Sequence, residues 1–482
     1  MPLNAITESF AYDASGRLIL AENAGSQLQW YYNEVGNLVR EHQHYRLRGS
    51  AFTAIWRHEY DALDNRVTTI RPDGHRVDWL SYGSGHVHQL RIAGQLVSDL
   101  ERDDLHREIR RTFGNTDRGQ LAASRSYDPA GRLTEQLLER VQALSQTAGQ
   151  AGGQTTSNAT VSHRQYQYDA AGQLLGISDS RRGALQYHYD PVGRLLAATS
   201  RLGQETFAFD PAGNLLDPQT ADQRQYDTRE RAEQQQFHSQ LTGSNKLLDN
   251  LLKDYAGKHF EYDERGNLRA RIDNGRTQWF EWDHFNRLAA VRSNEVDTEF
   301  AYDPLGRRLL KHSTPKLPIG AGAQAAVNPA WVASETARLS REHGYGVTLY
   351  GWDGDQIAWE GDAETTTHYV FEPGSFVPLL QAKTRQRIPL LPTPDWSERD
   401  YDIDADPLWT YSPEPQPFEQ LYYYHTDHLG TPQELLDAEG NLAWSADYKA
   451  WGEAKAAISD AAKRAGISNP LRFQGQYFDH ET

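Results

Sequence analysis

The chain has 482 residues, 38% apolar and 24% charged, and its 49 Lys and Arg against 66 Asp and Glu give a formal net charge of −17. That balance opposes a nucleic-acid backbone, and the one dense basic stretch, Arg107 to Arg111, reads as a solvated strand face, so no nucleic-acid partner is expected. Cysteine is absent, which excludes disulfides, thiolate metal sites and a cysteine nucleophile, while 25 Tyr and 15 Phe argue against disorder and suit sheets that are wet on one face.

The N-terminus has neither a basic n-region nor an apolar h-region, and no later apolar run approaches membrane length, so no membrane span is expected. The chain instead enters at once a phrase that it repeats, an aromatic residue followed by Asp and then by Gly and Leu. The phrase recurs at Tyr12-Asp13, Tyr32-Asn33, Tyr60-Asp61, Tyr127-Asp128, Tyr168-Asp169, Tyr189-Asp190, Phe209-Asp210, Tyr226-Asp227, Tyr262-Asp263, Trp282-Asp283 and Tyr302-Asp303. In its cleanest runs the spacing is steady: 21 residues from 168 to 189, and 20 from 262 to 282 and from 282 to 302.

Each position has a mechanical reading. A second ring often precedes the first by two residues, as Tyr187 precedes Tyr189 and Phe260 precedes Tyr262, which puts both on one face of a strand. The aspartate accepts local backbone hydrogen bonds and opens a turn, and the glycine takes the left-handed position that launches a return strand through a bulge. The expected turn residues are Asp13 and Gly16, Asp128 and Gly131, Asp169 and Gly172, Asp190 and Gly193, Asp210 and Gly213, Asp263 and Gly266, Asp283 and Asn286, and Asp303 and Gly306. Asn286 fits because Asn tolerates the left-handed region next best. A second turn closes several units, at Pro72-Asp73-Gly74, Arg182-Gly183 and Asp273-Asn274-Gly275. These carboxylates are structural, since one active site needs one carboxylate and not a copy in every repeat. Because an isolated hairpin is marginal in water, neighbours must pair edge to edge. The expected fold is all-β: YD-repeat hairpins forming one long, curved antiparallel sheet, single-layered with exposed edges, and a few short helices in insertions.

The repeat array covers 1–311, with insertions at about 141–165 and 240–257. The first is Gly/Ser/Thr/Gln-rich and reads as a flexible excursion. Within the second, 244–257 carries a leucine stripe that predicts a helix ending at Gly257. Residues 312–421 form divergent repeats with helical and Pro-rich insertions. Asn328 as cap, Pro329 and the terminator Gly344 predict a helix over 328–344, and another is predicted over 452–466. The Pro- and Asp-rich stretch 385–417 is expected to be an ordered loop seated on the sheet through Trp396 and Trp409.

Three constellations could bind metal. His425, Asp427 and His428 alternate along a strand, but no third dedicated ligand faces the first two. His86 and His88 share a strand face and make an incomplete set. Asp400, Asp402, Asp404 and Asp406 have part of a calcium loop's spacing, without its glycine and closing glutamate. Packing is the preferred reading of all three. No nucleophile, zinc-protease, phosphate-loop or dinucleotide motif occurs, so no catalytic, metal or cofactor residue is assigned, no cofactor is expected, and the chain reads as a non-enzyme.

The repeats followed by "YYYHTDHLGTPQELLDAEGNLAWSADYKAWGE" and "NPLRFQGQYFDHET", in 422–482, resemble the bacterial RHS or YD-repeat proteins, and the last segment resembles the start of their repeat-associated core. "YGWDGDQIAWEGD", 350–362, resembles what precedes that core. The resemblance implies a β-strip wound into a cocoon-like shell around a C-terminal toxin, delivered between bacteria by type VI or another contact-dependent system. It implies a toxin cargo as partner, and a secretion spike and chaperone met through an N-terminal region. The toxin and the aspartyl self-cleavage motif are expected to lie beyond this chain, which reads as truncated within the core. The protein would be cytoplasmic before export by a dedicated system without a Sec signal peptide. A cell-surface or carbohydrate-binding module is the alternative, and a glycoside hydrolase the least supported reading.

Overall fold

Wherever a Tyr-Asp phrase ends a strand, the chain reverses and the next strand pairs beside it. In the computed structural model, which describes residues 7–83, 85–114, 120–143, 156–216, 251–255, 257–317, 328–450, 452–464 and 466–482, this produces two long antiparallel sheets. The first has 18 strands and runs from Ser9–Tyr12 to Gly203–Thr206. The second has 15 strands and runs from Asp254–Tyr255 to Ala454–Ile458. A two-stranded piece, Ala208–Phe209 with Leu215–Leu216, lies between them in sequence. Nearly every strand pairs with its sequence neighbours. The exception is Leu391–Pro392, which leaves the Pro-rich segment to pair with Phe52 and Thr53 of the first sheet. The pairing register shifts at Tyr12, Tyr127, Tyr168, Tyr189, Tyr262, Trp282 and Tyr302, the signature of a bulge in each repeat.

A single layer with exposed edges is not what forms. The two sheets lie against each other and share cores. Val77, Trp79, Leu90 and Phe113 of the first sheet pack with Val370, Leu380, Tyr423 and Leu436 of the second. Tyr45 and Trp56 pack with Leu309, Leu349 and Trp359. The polar contacts between the sheets advance in step. Asn23 reaches Tyr302, Gln43 reaches Trp352, Gln136 reaches Thr426 and Arg182 reaches Ala446. In these four bonds the partners lie 264 to 309 residues apart, so the strip returns alongside itself in the same sense. The reason is apolar area: one wet-faced layer of this composition cannot bury its rings, and a second pass covers them.

Three local expectations meet the structure in part. Of the expected excursion 141–165, residues 141–143 and 156–165 belong to the hairpin Leu133–Ala143 with Thr156–Tyr168, and 144–155, which holds its Gly and most of its Gln, lies outside the described residues. The Thr and Val of 156–165 form strand. In the predicted helix 244–257, Asp254–Tyr255 is a strand paired with Lys258 and His259, while 244–250 lies outside the described residues. In 452–466, Ala454–Ile458 is a strand along Leu442–Tyr448, and only Asp460–Arg464 is helical. In both, an unpaired strand edge outweighs helix propensities worth tenths of a kcal/mol per residue.

The helix Pro329–His343 forms, with Asn328 accepting the Trp331 N–H and Gly344 left-handed at φ 69°, and none of its residues is buried. In the Pro-rich segment Trp409 packs edge-on against Tyr31 and His42 under Arg40. Trp396 does not reach the sheet in this way; its ring packs on Tyr401 and Arg399 of its own segment. No helix among the described residues is long and apolar enough to cross a membrane.

Gly351 pairs with Trp359 across two strands, and a Cβ on Gly351 would stand 2.0 Å from the indole. Gly351→Ala is therefore expected to lower the unfolding free energy by about 1–3 kcal/mol in urea titrations, through overpacking.

Candidate functional site: the repeat turns and the seam

The turn aspartates act on backbone and side chain together. In each of the eight units the carboxyl Oδ1 accepts the N–H four residues on, from Asp13 with Arg17 to Asp303 with Arg307. The second oxygen accepts Arg Nε at Asp13, Asp128, Asp190, Asp283 and Asp303, and an Asn amide at Asp210 and Asp263. The residue three after the aspartate has positive φ in every unit: Gly16, Gly131, Gly172, Gly193, Gly213, Gly266 and Gly306, with Asn286 at 58°. The Arg17, Arg132 and Arg194 N–H groups hold the carboxyls of Asp13, Asp128 and Asp190 below their ordinary range.

Sequence reasoning missed how neighbouring repeats are joined. The tyrosine hydroxyl of one repeat donates to the carbonyl of the leucine that follows the turn in the repeat before. Tyr32 donates to Leu18, Tyr60 to Leu38, Tyr168 to Leu133, Tyr189 to Leu174 and Tyr302 to Leu288, at 2.9–3.1 Å. Trp282 does the same through Nε1, to Leu268 at 2.7 Å. The turn arginine then bridges forward. Arg132, Arg194 and Arg287 donate Nη1 to the carbonyls of Asp169, Asp210 and Asp303. Their guanidinium groups lie over Tyr168, Phe209 and Tyr302 at 4.8, 5.1 and 5.5 Å. The excess of Tyr over Phe was the available signal for this ladder.

Between the sheets, polar groups are buried in sets. Arg164, Asp179, Arg182, Glu434 and His425 form one network. Arg164 lies 2.5 Å from Glu434 and 2.9 Å from Asp179, and Arg182 lies 2.6 Å from Glu434. Burial pushes the Glu434 carboxyl up, but Arg164 and Arg182 hold it well below the carboxylate range. Arg111 pairs with Glu108 of its own sheet and Glu372 of the other. Glu41 accepts from Gln43 at 2.9 Å and stands 3.7 Å from Arg307. Burial raises Glu41 to about 7, only partly opposed by Arg307. A recess of about 590 Å³ opens beside the first network, lined by Tyr187, Tyr189, His428, Tyr448 and Phe473 among others.

The metal candidates from the sequence do not converge. His425 bonds Glu434 through Nδ1 at 2.9 Å, Asp427 caps its own turn through Leu429 and Thr431, and the His428 ring lies against Tyr166. His86 stacks on His106 at 3.9 Å, and His88 stands 6.1 Å from Tyr82. Asp402 caps Asp404 locally, Asp406 caps the short helix Pro407–Thr410, and Asp400, Asp402 and Asp404 are exposed. A different trio among the described residues, Asp73, His75 and His368, has its donor atoms within 4.8 Å of one another.

Comparison with known proteins agrees with this architecture. Residues 421–456 match the RHS protein family, and residues 153–316 match the Teneurin YD-shell family. Double-stranded DNA deaminase toxin A of Burkholderia cenocepacia is 33% identical over 94% of this chain and 27% of its own length. Toxin protein Tse5 of Pseudomonas aeruginosa is 30% identical over 99% of this chain and 34% of its own. The chain thus spans about a third or less of these relatives. Among solved structures, the TcdB2-TccC3 crystal structure aligns with a TM-score of 0.56 at 14% identity, over 98% of this chain and 23% of that one, a likeness of fold.

Two measurements follow from the geometry. Tyr189→Phe removes the bond to Leu174 and should cost about 0.5–1.5 kcal/mol of stability in denaturant titrations. Glu41 binds its proton more tightly folded than unfolded, so its contribution to stability falls as pH rises from the ordinary 4.5 through about 7. Glu41→Gln should match the parent below that window and exceed it above by on the order of 3 kcal/mol, read from unfolding curves at several pH values.

Proposed function

The chain belongs to the RHS and YD-repeat family, and on that premise we propose that it is a length of shell wall that encloses a C-terminal toxin and performs no chemistry of its own. The observation that carries the reading is the strip lying back along itself with its seam filled by apolar cores and buried ion pairs. A catalytic site needs one exposed, differentiated constellation; a wall needs the same contact made many times, and the turn aspartates and seam residues are of that second kind. Relatives carry names such as deaminase toxin, and we place that activity in the roughly two thirds to three quarters of their length outside the shared region. Export would follow a dedicated contact-dependent route such as type VI secretion, with a spike and a chaperone as partners. The toxin would stay sequestered from the producing cell until delivery.

The test uses the full natural polypeptide that contains this chain. Limited proteolysis should spare the C-terminal cargo while the seam is intact. Glu434→Ala, which leaves Arg164 and Arg182 buried without the carboxylate that ties them to the second sheet, should cost about 3–5 kcal/mol and speed cargo cleavage. Cargo cut as fast in the intact protein as when expressed alone would overturn the enclosure.

A further inference from the structure

The turn between Arg66–Ile70 and Arg76–Tyr82 drives polar side chains of the first sheet into the second. Arg71 donates to the carbonyls of Ala358 and Tyr369. Two and four residues on, Asp73 and His75 stand beside His368 of the strand Thr366–Phe371. These three side chains are buried, with Asp73 5%, His75 1% and His368 1% exposed.

The hydrogen bonding of His75 fixes what the site needs. Its Nε2 faces the Gln416 carbonyl at 2.8 Å, which only accepts, so Nε2 carries a proton. Its Nδ1 faces Asp73 Oδ2 at 2.7 Å. Something positive must lie between that nitrogen and that oxygen, either a proton or a metal ion. His368 separates the two. Its Nε2 stands 3.4 Å from the same Asp73 oxygen and, fully buried, makes no hydrogen bond. A proton shared by His75 and Asp73 leaves that nitrogen unused, whereas a cation among the three engages it.

The separations are near those such an ion needs, with all three donor atoms within 4.8 Å of one another. Donor atoms around a tetrahedral ion with bonds of about 2.0–2.1 Å lie about 3.3–3.4 Å apart. The Asp73–His368 distance already matches, and the Asp73–His75 contact needs to open by about half an ångström. A metal-bound histidine usually donates its outer N–H to a carbonyl or carboxylate, as His75 does to Gln416. Phe418 stacks on His75 at 4.2 Å and meets His368 edge-on at 5.4 Å, which walls the site with hydrocarbon. Arg71 Nη1, which can only donate, stands 3.5 Å from His368 Nδ1. A cation on Nε2 puts the ring proton on Nδ1, so this contact must open, and the carboxylate and two imidazoles must outweigh the added positive charge. Two nitrogens and one oxygen select a transition metal over Ca²⁺ or Mg²⁺.

We propose that Asp73, His75 and His368 bind one divalent ion of the Zn²⁺ class, with water in the fourth position. The ion ties two passes of the strip together in a chain that has no cysteine for a disulfide.

The test is metal titration of the whole chain after exhaustive chelation. Co²⁺ should bind one per chain with the intense visible absorption of a four-coordinate ion, and Zn²⁺ should displace it and raise the thermal midpoint with concentration. His368→Gln and His75→Gln should abolish the Co²⁺ band, whereas His86→Gln should keep it. The parent chain decides the matter if either variant fails to fold. Failure of the parent to bind Co²⁺ stoichiometrically, or a band that survives in a folded His368→Gln chain, would overturn the proposal.

Discussion

One carboxylate in each repeat fixes where the chain turns, and the rest of the wall is referred to it. Asp190 accepts the N–H of Arg194 and the Nε of the same residue, so the turn cannot close without placing that guanidinium. The guanidinium then points forward onto Phe209 and the Asp210 carbonyl, while the Tyr189 hydroxyl points back to Leu174. Position in one repeat thereby sets position in the next. Stability in such an array accumulates from nearest-neighbour terms, which lets a polar chain build sheets of 18 and 15 strands without one central core.

The seam answers a different demand. Apolar area between the passes supplies attraction, but apolar contact tolerates sliding. Buried ion pairs do not, because a slip of one repeat would part Glu434 from both Arg164 and Arg182 and leave the two guanidinium groups to share Asp179 in a dry interior. His42, His44 and His58 lie buried in the first sheet, and burial pushes each of them well down, so they stay neutral at ordinary pH. Their contribution to stability is present above the ordinary histidine range and is lost as pH falls below it, opposite in sign to Glu41.

Legibility in the sequence followed the range of the interaction. Asp-x-x-Gly turns and the Asn328-Pro329 helix start are decided within five residues, so they could be read directly. The alanines at 452–466 had an equally clear local pattern and misled, as did the end of the leucine stripe at 254–255, because a strand edge several residues away captured Ala454–Ile458 and Asp254–Tyr255. Trp409 and Trp396 looked alike in composition, yet only Trp409 had Tyr31, His42 and Arg40 waiting for it.

By itself the sequence determined the building block: an all-β hairpin with its turn, bulge and ring positions, because these depend on backbone torsion and hydrogen bonds between residues close in the chain. Tertiary structure decided that the strip lies on itself and which residues meet there. Asp73 and His75 sit two apart, but His368 comes from the next pass of the strip. No local pattern encodes a partner whose distance along the chain is set by how many repeats make one turn.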